Sequence, residues 1–238
     1  MNTDDLIKVL GATDLRKALK TNTSGTKYKI RGSDEIKGIC FHQELGTGSI
    51  EAVHKYHTGP NHMAINGLER ISYTIGVRSD GEICVLNDIE VKTWSQGDAK
   101  RPGDENSEFL SVLFQGAFKY GKETEYLSTP LSDPTSAQLL SGSKLWRECA
   151  KFFNLGTKDL YGHYHFGKPA CPGNMLKDFI ETERNSWDLS DLFMRQKFIT
   201  EYGFTGNADF QTKVKLTADG IWGPHTEKAA YKWIAQHT

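Results

Sequence analysis

The stretch Gly162-His163-Tyr164-His165-Phe166-Gly167-Lys168-Pro169-Ala170-Cys171-Pro172-Gly173-Asn174 places two imidazoles, an amine and a thiol in one short segment. Its glycines and prolines prevent a regular helix or a central strand. Side chains of such a loop can converge on one point, and His and Cys are ligands that Zn²⁺ prefers. The segment therefore predicts a metal-binding loop, with a surface loop around one buried cysteine as the alternative.

The composition is that of a folded globular chain, with 37% hydrophobic and 25% charged residues in 238. The formal net charge of −1 gives no reason to expect a nucleic-acid partner. No apolar run approaches the ~20 residues that span a bilayer, so no membrane insertion is expected. The start, Met1 to Asp5, lacks a secretory signal. We therefore expect synthesis in the cytoplasm, with any target beyond the membrane reached through a holin pore or lysis.

The four cysteines, Cys40, Cys84, Cys149 and Cys171, are widely spaced and form no C-x-x-C pair. In a reducing compartment they are expected to be buried thiols or ligands rather than disulfides. The first three lie in apolar runs, which favours core packing. Only Cys171 lies in a loop beside histidines.

Residues 1–185 are predicted to form an α/β domain with a mixed, roughly five-stranded central sheet flanked by helices. Asp80-Gly81 is a hairpin signal, and the apolar run Phe109 to Phe114 is expected at the centre of the sheet. The predicted helices cover 3–20 (capped by Thr3), 50–58, 135–154 and 175–184, and the predicted strands cover 36–42, 71–77, 82–86, 91–94 and 109–114.

Residues 186–238 are predicted to form a small all-α domain after a boundary at Asn185-Ser186. Amphipathic patterns indicate helices over 189–202 and 226–235, the second capped by Thr226. A polar loop is expected between them.

Histidines occur at two further places. His42 ends a predicted strand just before a Gly-rich turn, a position at the rim of a sheet where ligands commonly bind. His54, His57 and His62 form a second group around a predicted helix. No carboxylate or cysteine lies near that group in sequence, so surface or packing roles are favoured over metal binding.

Taken together, these pieces resemble the zinc-dependent N-acetylmuramoyl-L-alanine amidases of the phage-lysozyme and peptidoglycan-recognition-protein type. The resemblance covers about residues 36–180. It is carried by Phe41-His42, by the segment Ser72 to Ile83 and by the spacing His163-x7-Cys171-Pro172-Gly173. It implies that family's fold, a mixed sheet flanked by helices.

The resemblance further implies that His42, His163 and Cys171 hold Zn²⁺ and leave a fourth position for water. Tyr73, on the predicted strand 71–77, matches the family's catalytic tyrosine, which would hydrogen-bond the water or the intermediate. Lys168 is expected to stabilise the oxyanion, or otherwise to be a solvated loop charge. Many relatives place a Lys or Thr two residues before the cysteine, where this chain has Pro169.

Two other residues are candidates for the same site. His165 competes with His163 for the metal, but residues two apart in an extended loop face opposite sides, so His165 is expected elsewhere in the cleft. Some relatives carry a catalytic Glu on the central strand, and Ser111 to Gln115 offers none. Glu44, which follows His42, is a disfavoured alternative base.

The segment Asp219-Gly220-Ile221-Trp222-Gly223-Pro224-His225-Thr226-Glu227 is similar to the signature of small helical peptidoglycan-binding modules. The resemblances together imply a monomeric phage endolysin that hydrolyses the amide between N-acetylmuramic acid and L-alanine in peptidoglycan. The alternatives are a non-catalytic peptidoglycan-binding receptor, which commonly lacks the cysteine ligand, and an endopeptidase of the stem peptide.

Overall fold

A computed structural model describes residues 2–60, 64–96, 105–120, 131–185, 189 and 192–237 of the chain. Its strands are β1 (Thr13–Asp14), β2 (Lys29–Ile30), β3 (Gly38–Gln43), β4 (Ile75–Val77), β5 (Ile83–Val85), β6 (Val91–Lys92), β7 (Phe109–Phe114) and β8 (Leu160–Gly162). Its α-helices are α1 (Thr3–Leu10), α2 (Ile50–Thr58), α3 (Glu105–Glu108), α4 (Ser136–Phe153), α5 (Asn174–Asn185), α6 (Leu192–Glu201), α7 (Asn207–Lys213) and α8 (Pro224–His237).

Six strands form one mixed sheet in the order β1-β5-β4-β7-β3-β8. Neighbouring strands are parallel except β4 and β5, which form the predicted hairpin around Asp80-Gly81. The prediction of five strands was wrong in detail: β6 pairs with β2 in a separate ribbon, and the edge strands β1 and β8 were missed. Strands of two or three residues are too short to show a period in the sequence.

The central strands β3 and β7 are buried along their whole length because helices cover both faces of the sheet. Phe41 packs on one face with residues of α1, α4 and α5. Leu113 packs on the other face with Ile50 of α2. Because side chains alternate along a strand, His42 lies on the face opposite to Phe41.

The first helix is shorter than predicted. Asn2, not Thr3, caps it, because the Asn2 side chain accepts a hydrogen bond from the Asp5 amide at 3.0 Å. The helix ends at Gly11, whose φ of +62° is a left-handed conformation that glycine tolerates. Leu15 and Leu19 suggested a longer helix, but they pack from the following turns into the cluster beside α2.

Two other helices begin where the sequence places them. The Ser49 hydroxyl accepts from the Ala52 amide at the start of α2. Thr135 and Gln138 form a capping box at the start of α4, where the sequence predicts a helix to begin. A cap of this kind stabilises a helix by about 1 kcal/mol, so local chemistry decides both starts.

The described part of the chain beyond residue 188 contains helices and no strand. The prediction of two helices was wrong, since α7 lies in the stretch expected to be a loop. Thr226 does not cap α8, which begins at Pro224, a residue favoured in the first helical turn. Instead, Thr226 is buried, and its Oγ1 accepts from Gln211 Nε2 at 3.0 Å.

These C-terminal helices have an apolar cluster of their own around Phe198, Phe210 and Ile234. Helix α8 also packs on α4, because Ala235 belongs to the core cluster of the sheet together with Trp146. The predicted boundary lies beside residues 186–188, outside the described residues. None of the helices that the structure describes is long and apolar enough to cross a bilayer.

Candidate metal centre

The strand register places His163 beside His42. In the parallel pair of β3 and β8, Phe41 is opposite Gly162. His42 is the next residue of β3, and His163 directly follows the last residue of β8 and begins a turn of 3₁₀ helix. Their Nδ1 atoms are 3.1 Å apart, although 121 positions separate them in sequence. A slip of one residue would turn one imidazole to the opposite face.

Both imidazoles are held in the neutral form. Burial lowers the pKa of His42 well below its usual range, and the neighbouring His163 lowers it further. Burial also lowers the pKa of His163, as does the charge of Lys168. His163 Nε2 lies 2.8 Å from the Gln96 carbonyl oxygen, an acceptor, so Nε2 carries the proton and Nδ1 has a free lone pair.

Cys171 reaches the same point from the loop. Its sulfur, His42 and His163 each offer a ligand atom, and these atoms lie within 4.8 Å of one another. The Gln43 amide donates to Cys171 Sγ at 3.3 Å. Without a metal, burial raises the pKa of the Cys171 thiol to about 12, against the opposing effect of that hydrogen bond.

The loop itself is compact rather than extended. His163–Phe166 form a turn of 3₁₀ helix that ends at Gly167, and the Cys171–Pro172 peptide bond is cis. Gly173 has a φ of +94°, and a Cβ at this position would lie 2.7 Å from Phe118 Cβ. Glycine is therefore required there, and it lets the chain turn directly from Cys171 into α5.

Tyr73 lies beside the histidines but not on a strand, because β4 begins only at Ile75. Its ring centre is 5.3 Å from that of His42 and 5.7 Å from that of His57. Burial raises the pKa of Tyr73. Its hydroxyl therefore stays protonated near neutral pH and remains a hydrogen-bond donor.

The two charged candidates have different surroundings. Lys168 is exposed, and its backbone amide donates to the His163 carbonyl at 3.3 Å. The carboxylate of Glu44 accepts from the amides of Gly48 at 3.1 Å and Gly116 at 3.2 Å. Both oxygens of Glu44 are thus bonded to loop backbone, although burial raises the pKa of this carboxyl group.

His165 does not join the cluster. Its Nδ1 accepts from the Gly162 amide at 3.2 Å, and its Nε2 lies 3.7 Å from Glu181. The sequence argument placed it away from the metal because an extended loop alternates its faces. His165 does lie away from the cluster, but the reason given from the sequence was wrong, because His163–Phe166 form a turn of 3₁₀ helix and not an extended loop.

The second histidine group lies on α2 and is not part of the cluster. His54 Nε2 lies 2.9 Å from the Lys20 carbonyl oxygen, so it carries a proton and donates. His57 Nδ1 accepts from the Ser72 amide at 3.1 Å. Both side chains are buried. His62 lies outside the described residues.

The donor set fits a zinc ion. Two neutral imidazoles and one thiol are soft and borderline ligands of the type that Zn²⁺ selects. Three ligands from one protein leave a position open, as in catalytic rather than structural sites. The buried Nε2 of His42 has no hydrogen-bond partner among the described residues, and the two Nδ1 atoms face each other. Such a cluster of desolvated nitrogens is costly unless a cation or a shared proton lies between them.

Sequence reasoning missed two glutamines that hold this site, Gln43 through its side-chain amide and Gln96 through its backbone carbonyl. Gln43 is 3% exposed, and its Nε2 donates to the Ala170 carbonyl at 2.6 Å while its Oε1 accepts from the Phe118 amide at 2.5 Å. Gln96 holds His163 through its carbonyl oxygen. Gln43 directly follows His42, which was the available signal, but its partners are backbone groups distant in sequence.

Comparison with known sequences gives one family. Residues 32–174 match the sequence model of the family described as N-acetylmuramoyl-L-alanine amidase. No match was found among curated protein sequences. The matched segment contains all three residues of the cluster.

Three solved structures are similar in fold. The Ph2119 endolysin of a Thermus scotoductus bacteriophage is 15% identical, with a TM-score of 0.51 over 73% of this chain and 98% of that one. Peptidoglycan recognition protein LE in complex with tracheal cytotoxin is 17% identical, with a TM-score of 0.50 over 72% and 92%. Drosophila peptidoglycan recognition protein SD is 14% identical, with a TM-score of 0.50 over 71% and 94%.

At these identities the structural likeness shows the fold alone. It confirms the predicted architecture, a mixed sheet flanked by helices with a helical C-terminal region. The sequence match covers more than half of the 238 residues. The chain therefore belongs to the N-acetylmuramoyl-L-alanine amidase family.

Proposed function

We propose that this protein is a zinc-dependent amidase that hydrolyses the bond between N-acetylmuramic acid and L-alanine in bacterial peptidoglycan. The observation that carries the proposal is the convergence of His42, His163 and Cys171 within 4.8 Å. Family membership supports the reaction class. The related folds come from a phage endolysin and from proteins named for peptidoglycan recognition, which supports the polymer as substrate.

His42, His163 and Cys171 would hold Zn²⁺, which as a Lewis acid acidifies water and polarises a carbonyl group. The protonated hydroxyl of Tyr73 would donate a hydrogen bond to the oxygen of the scissile amide as negative charge develops on it. Lys168 would add a positive charge at the mouth of the cleft. Its effect on the pKa of His163 supports a position close enough to act on charge at the site.

The reaction is tested by the products. Purified peptidoglycan digested by the wild-type chain should yield stem peptides with a free N-terminal L-alanine, identified by mass spectrometry. Intact lactyl–peptide linkages combined with cleavage inside the stem would establish the endopeptidase instead. Binding without any cleavage would establish the receptor.

The metal is tested separately. The purified wild-type protein should contain about one equivalent of zinc by elemental analysis, and Cys171→Ser should contain much less. Cys84→Ser is the matched control, because Cys84 is buried in β5 and is not part of the cluster. Equal zinc in both variants would refute the proposed ligand set.

We further propose that residues 186–238 bind the cell wall. The signature around Trp222 supports this, as does Ile221, an apolar side chain that is 68% exposed within it. Ile221→Asp in the full chain should reduce co-sedimentation with peptidoglycan. Leu140→Asp on α4 is the control, since Leu140 is similarly exposed, at 72%. An equal effect of both substitutions would argue against a binding surface at Ile221.

In this proposal the protein is a monomeric phage endolysin, made in the host cytoplasm and acting on the wall after release. Expression in the bacterial cytoplasm should then be harmless until the membrane is permeabilised. Lysis without permeabilisation would contradict that order of events.

A further inference from the structure

A cavity of about 520 Å³ lies where the turn before β8 meets the C-terminal helices. It is lined on one side by Gly156, Lys158 and Asp159 and on the other by Arg195 of α6, by Trp222 and by α8. Ligand-binding clefts commonly enclose ~300–1,000 Å³ and often lie between structural units. The cavity is large enough for a short peptide.

Its lining is positively charged, although the whole chain has a net charge of −1. Four cations, Lys158, Arg195, Lys228 and Lys232, face two acids. Burial and the charge of Lys228 lower the pKa of Lys232. The lysines are therefore crowded, and an anion bound between them would relieve their repulsion.

The two acids do not cancel this charge evenly. Asp159 accepts a hydrogen bond from the Gly156 amide at 2.8 Å, and burial raises the pKa of its carboxyl group. Glu227 lies 3.9 Å from Arg195. Each acid is thus engaged at one edge of the cavity. The charge of Asp159 also acts on Lys228 and Lys232, so the excess of positive charge is that of four cations over two acids.

The aromatic rings of the cavity favour a peptide over a sugar. Sugars bind aromatic residues through their open ring faces. Here the guanidinium of Arg195 lies 5.7 Å from the centre of the Trp222 ring, and Lys158 Nζ lies 5.4 Å from that of Tyr231. One face of each ring is therefore covered by a cation. Stem peptides carry free carboxylates, whereas the glycan of peptidoglycan is uncharged once the lactyl group is in amide linkage.

We propose that this cavity binds a free carboxylate of a peptidoglycan stem peptide, at a site separate from the metal cluster. The proposal rests on the proposed function, which makes peptidoglycan the substrate. Asp159 immediately precedes β8, and His163 immediately follows it. Four residues of extended chain correspond to ~13 Å, so one short strand connects the cavity to the cluster.

The test uses the full chain and the free peptide L-Ala-γ-D-Glu-L-Lys-D-Ala-D-Ala. This peptide lacks the muramic acid linkage and is not a substrate of the proposed reaction. Calorimetry compares it with the same peptide whose carboxylates are all amidated. The wild-type protein should bind the acid at least about tenfold more tightly, as expected for a charge-assisted hydrogen bond, and added salt should weaken this binding. Equal affinity for acid and amide would overturn the proposal without any variant.

The position is tested by Lys228→Gln/Lys232→Gln, which should abolish the preference for the acid. The matched control is Lys197→Gln/Lys213→Gln, which removes the same charge from exposed positions of α6 and α7. If both double variants bind the acid peptide as the wild type does, the cavity is not its site.

Release of N-terminal L-alanine from peptidoglycan is measured in parallel. Absence of release in the wild type defeats the proposed function, whereas release with unchanged peptide binding in the cavity variant defeats only this inference.

Discussion

Two groups of histidines lie on the same side of the sheet and differ in what their nitrogens contact. His54 and His57 on α2 each have a nitrogen bonded to backbone, to the Lys20 carbonyl and the Ser72 amide. His42 and His163 instead turn their Nδ1 atoms toward each other and toward a thiol. His42 is at least as buried as His54 and His57, whereas His163 is only partly buried, so burial does not distinguish a structural histidine from a candidate ligand.

The distinction lies in what the second nitrogen faces. His54 Nδ1 is also buried without a hydrogen-bond partner among the described residues, but it belongs to no cluster of possible ligands there. A backbone partner on one nitrogen of His163 fixes its tautomer and leaves the other lone pair directed at the cluster. In His57 the nitrogen with a backbone partner is the acceptor, so its lone pair is already used. Substitutions in and around each of the two groups test this difference.

The largest effect is expected from removing a ligand. His163→Ala should lose zinc and reduce amidase activity by more than the ~10–100-fold that the outer partners of a metal ligand contribute. His54→Ala should keep both, since its ring bonds only to the Lys20 carbonyl among the contacts described. Zinc analysis and turnover of peptidoglycan measure the difference. Loss of zinc in His54→Ala would contradict the distinction between the two histidine groups.

Tyr73→Phe tests the residue that contacts both groups. It removes a hydroxyl without changing the ring that packs on His42 and His57. If Tyr73 stabilises the developing charge, kcat should fall about 10²-fold while zinc content stays constant. The control is Tyr56→Phe, since Tyr56 is 63% exposed on α2. An unchanged kcat would reduce Tyr73 to a packing residue.

Gln43→Leu tests the support of the cluster. The substitution removes the bonds to Ala170 and Phe118 while preserving the bulk of the side chain. Zinc affinity should fall about 10–100-fold, as for outer partners of metal ligands. Competition with a chromophoric chelator measures it. Gln115→Leu, at the end of the neighbouring strand, is a control that should leave the affinity unchanged.

The pH dependence of zinc binding follows from the opposite pKa shifts of the histidine and cysteine ligands. Lowered pKa values keep His42 and His163 neutral above about pH 6.5, so they release no proton on binding. Cys171, with a pKa raised to about 12, must lose its proton. Apparent zinc affinity should therefore rise about tenfold per pH unit between 7 and 9, with one proton released. Calorimetry in buffers of different ionisation enthalpy counts that proton.

The smallest effect concerns stability. His54→Ala removes one buried hydrogen bond, which costs about 1 kcal/mol, measured by urea denaturation at pH 7.5. Burial lowers the pKa of His54, so below about pH 6.5 the unfolded chain takes up a proton that the folded chain resists. The wild type should thus lose stability as pH falls, and the difference from the variant should shrink. A difference that grows on acidification would contradict the sign.

Much of the fold was predictable because it depends on local chemistry. The caps at Ser49 and Thr135, the Asp80-Gly81 hairpin and the apolar run of β7 all carry their signal in a few adjacent residues. The short strands β1 and β8 and helix α7 were missed because so few residues show no period.

The site was predictable only in part. The residues alone indicated a metal-binding loop, but the choice of His42 as partner came from the family resemblance. The register that places His163 beside His42 depends on β8, a strand of three residues that pairs across the chain. Gln43 carried no signal beyond its place next to His42, and Gln96 carried none, because amide side chains and carbonyl oxygens acquire their partners only in the folded chain.

The packing of α8 on α4 has a consequence for how such proteins recombine. Ala235 completes an apolar core whose other members come from the first 185 residues. A recombination event at position 186 that brought in an unrelated tail would leave Ala150, Leu155 and their neighbours facing water. Exchange of tails between related enzymes should therefore succeed when the incoming last helix preserves small apolar residues on its inner face. Because of this packing, the first 185 residues and the C-terminal helices are expected to be inherited as one unit, unless the incoming helix keeps that face apolar.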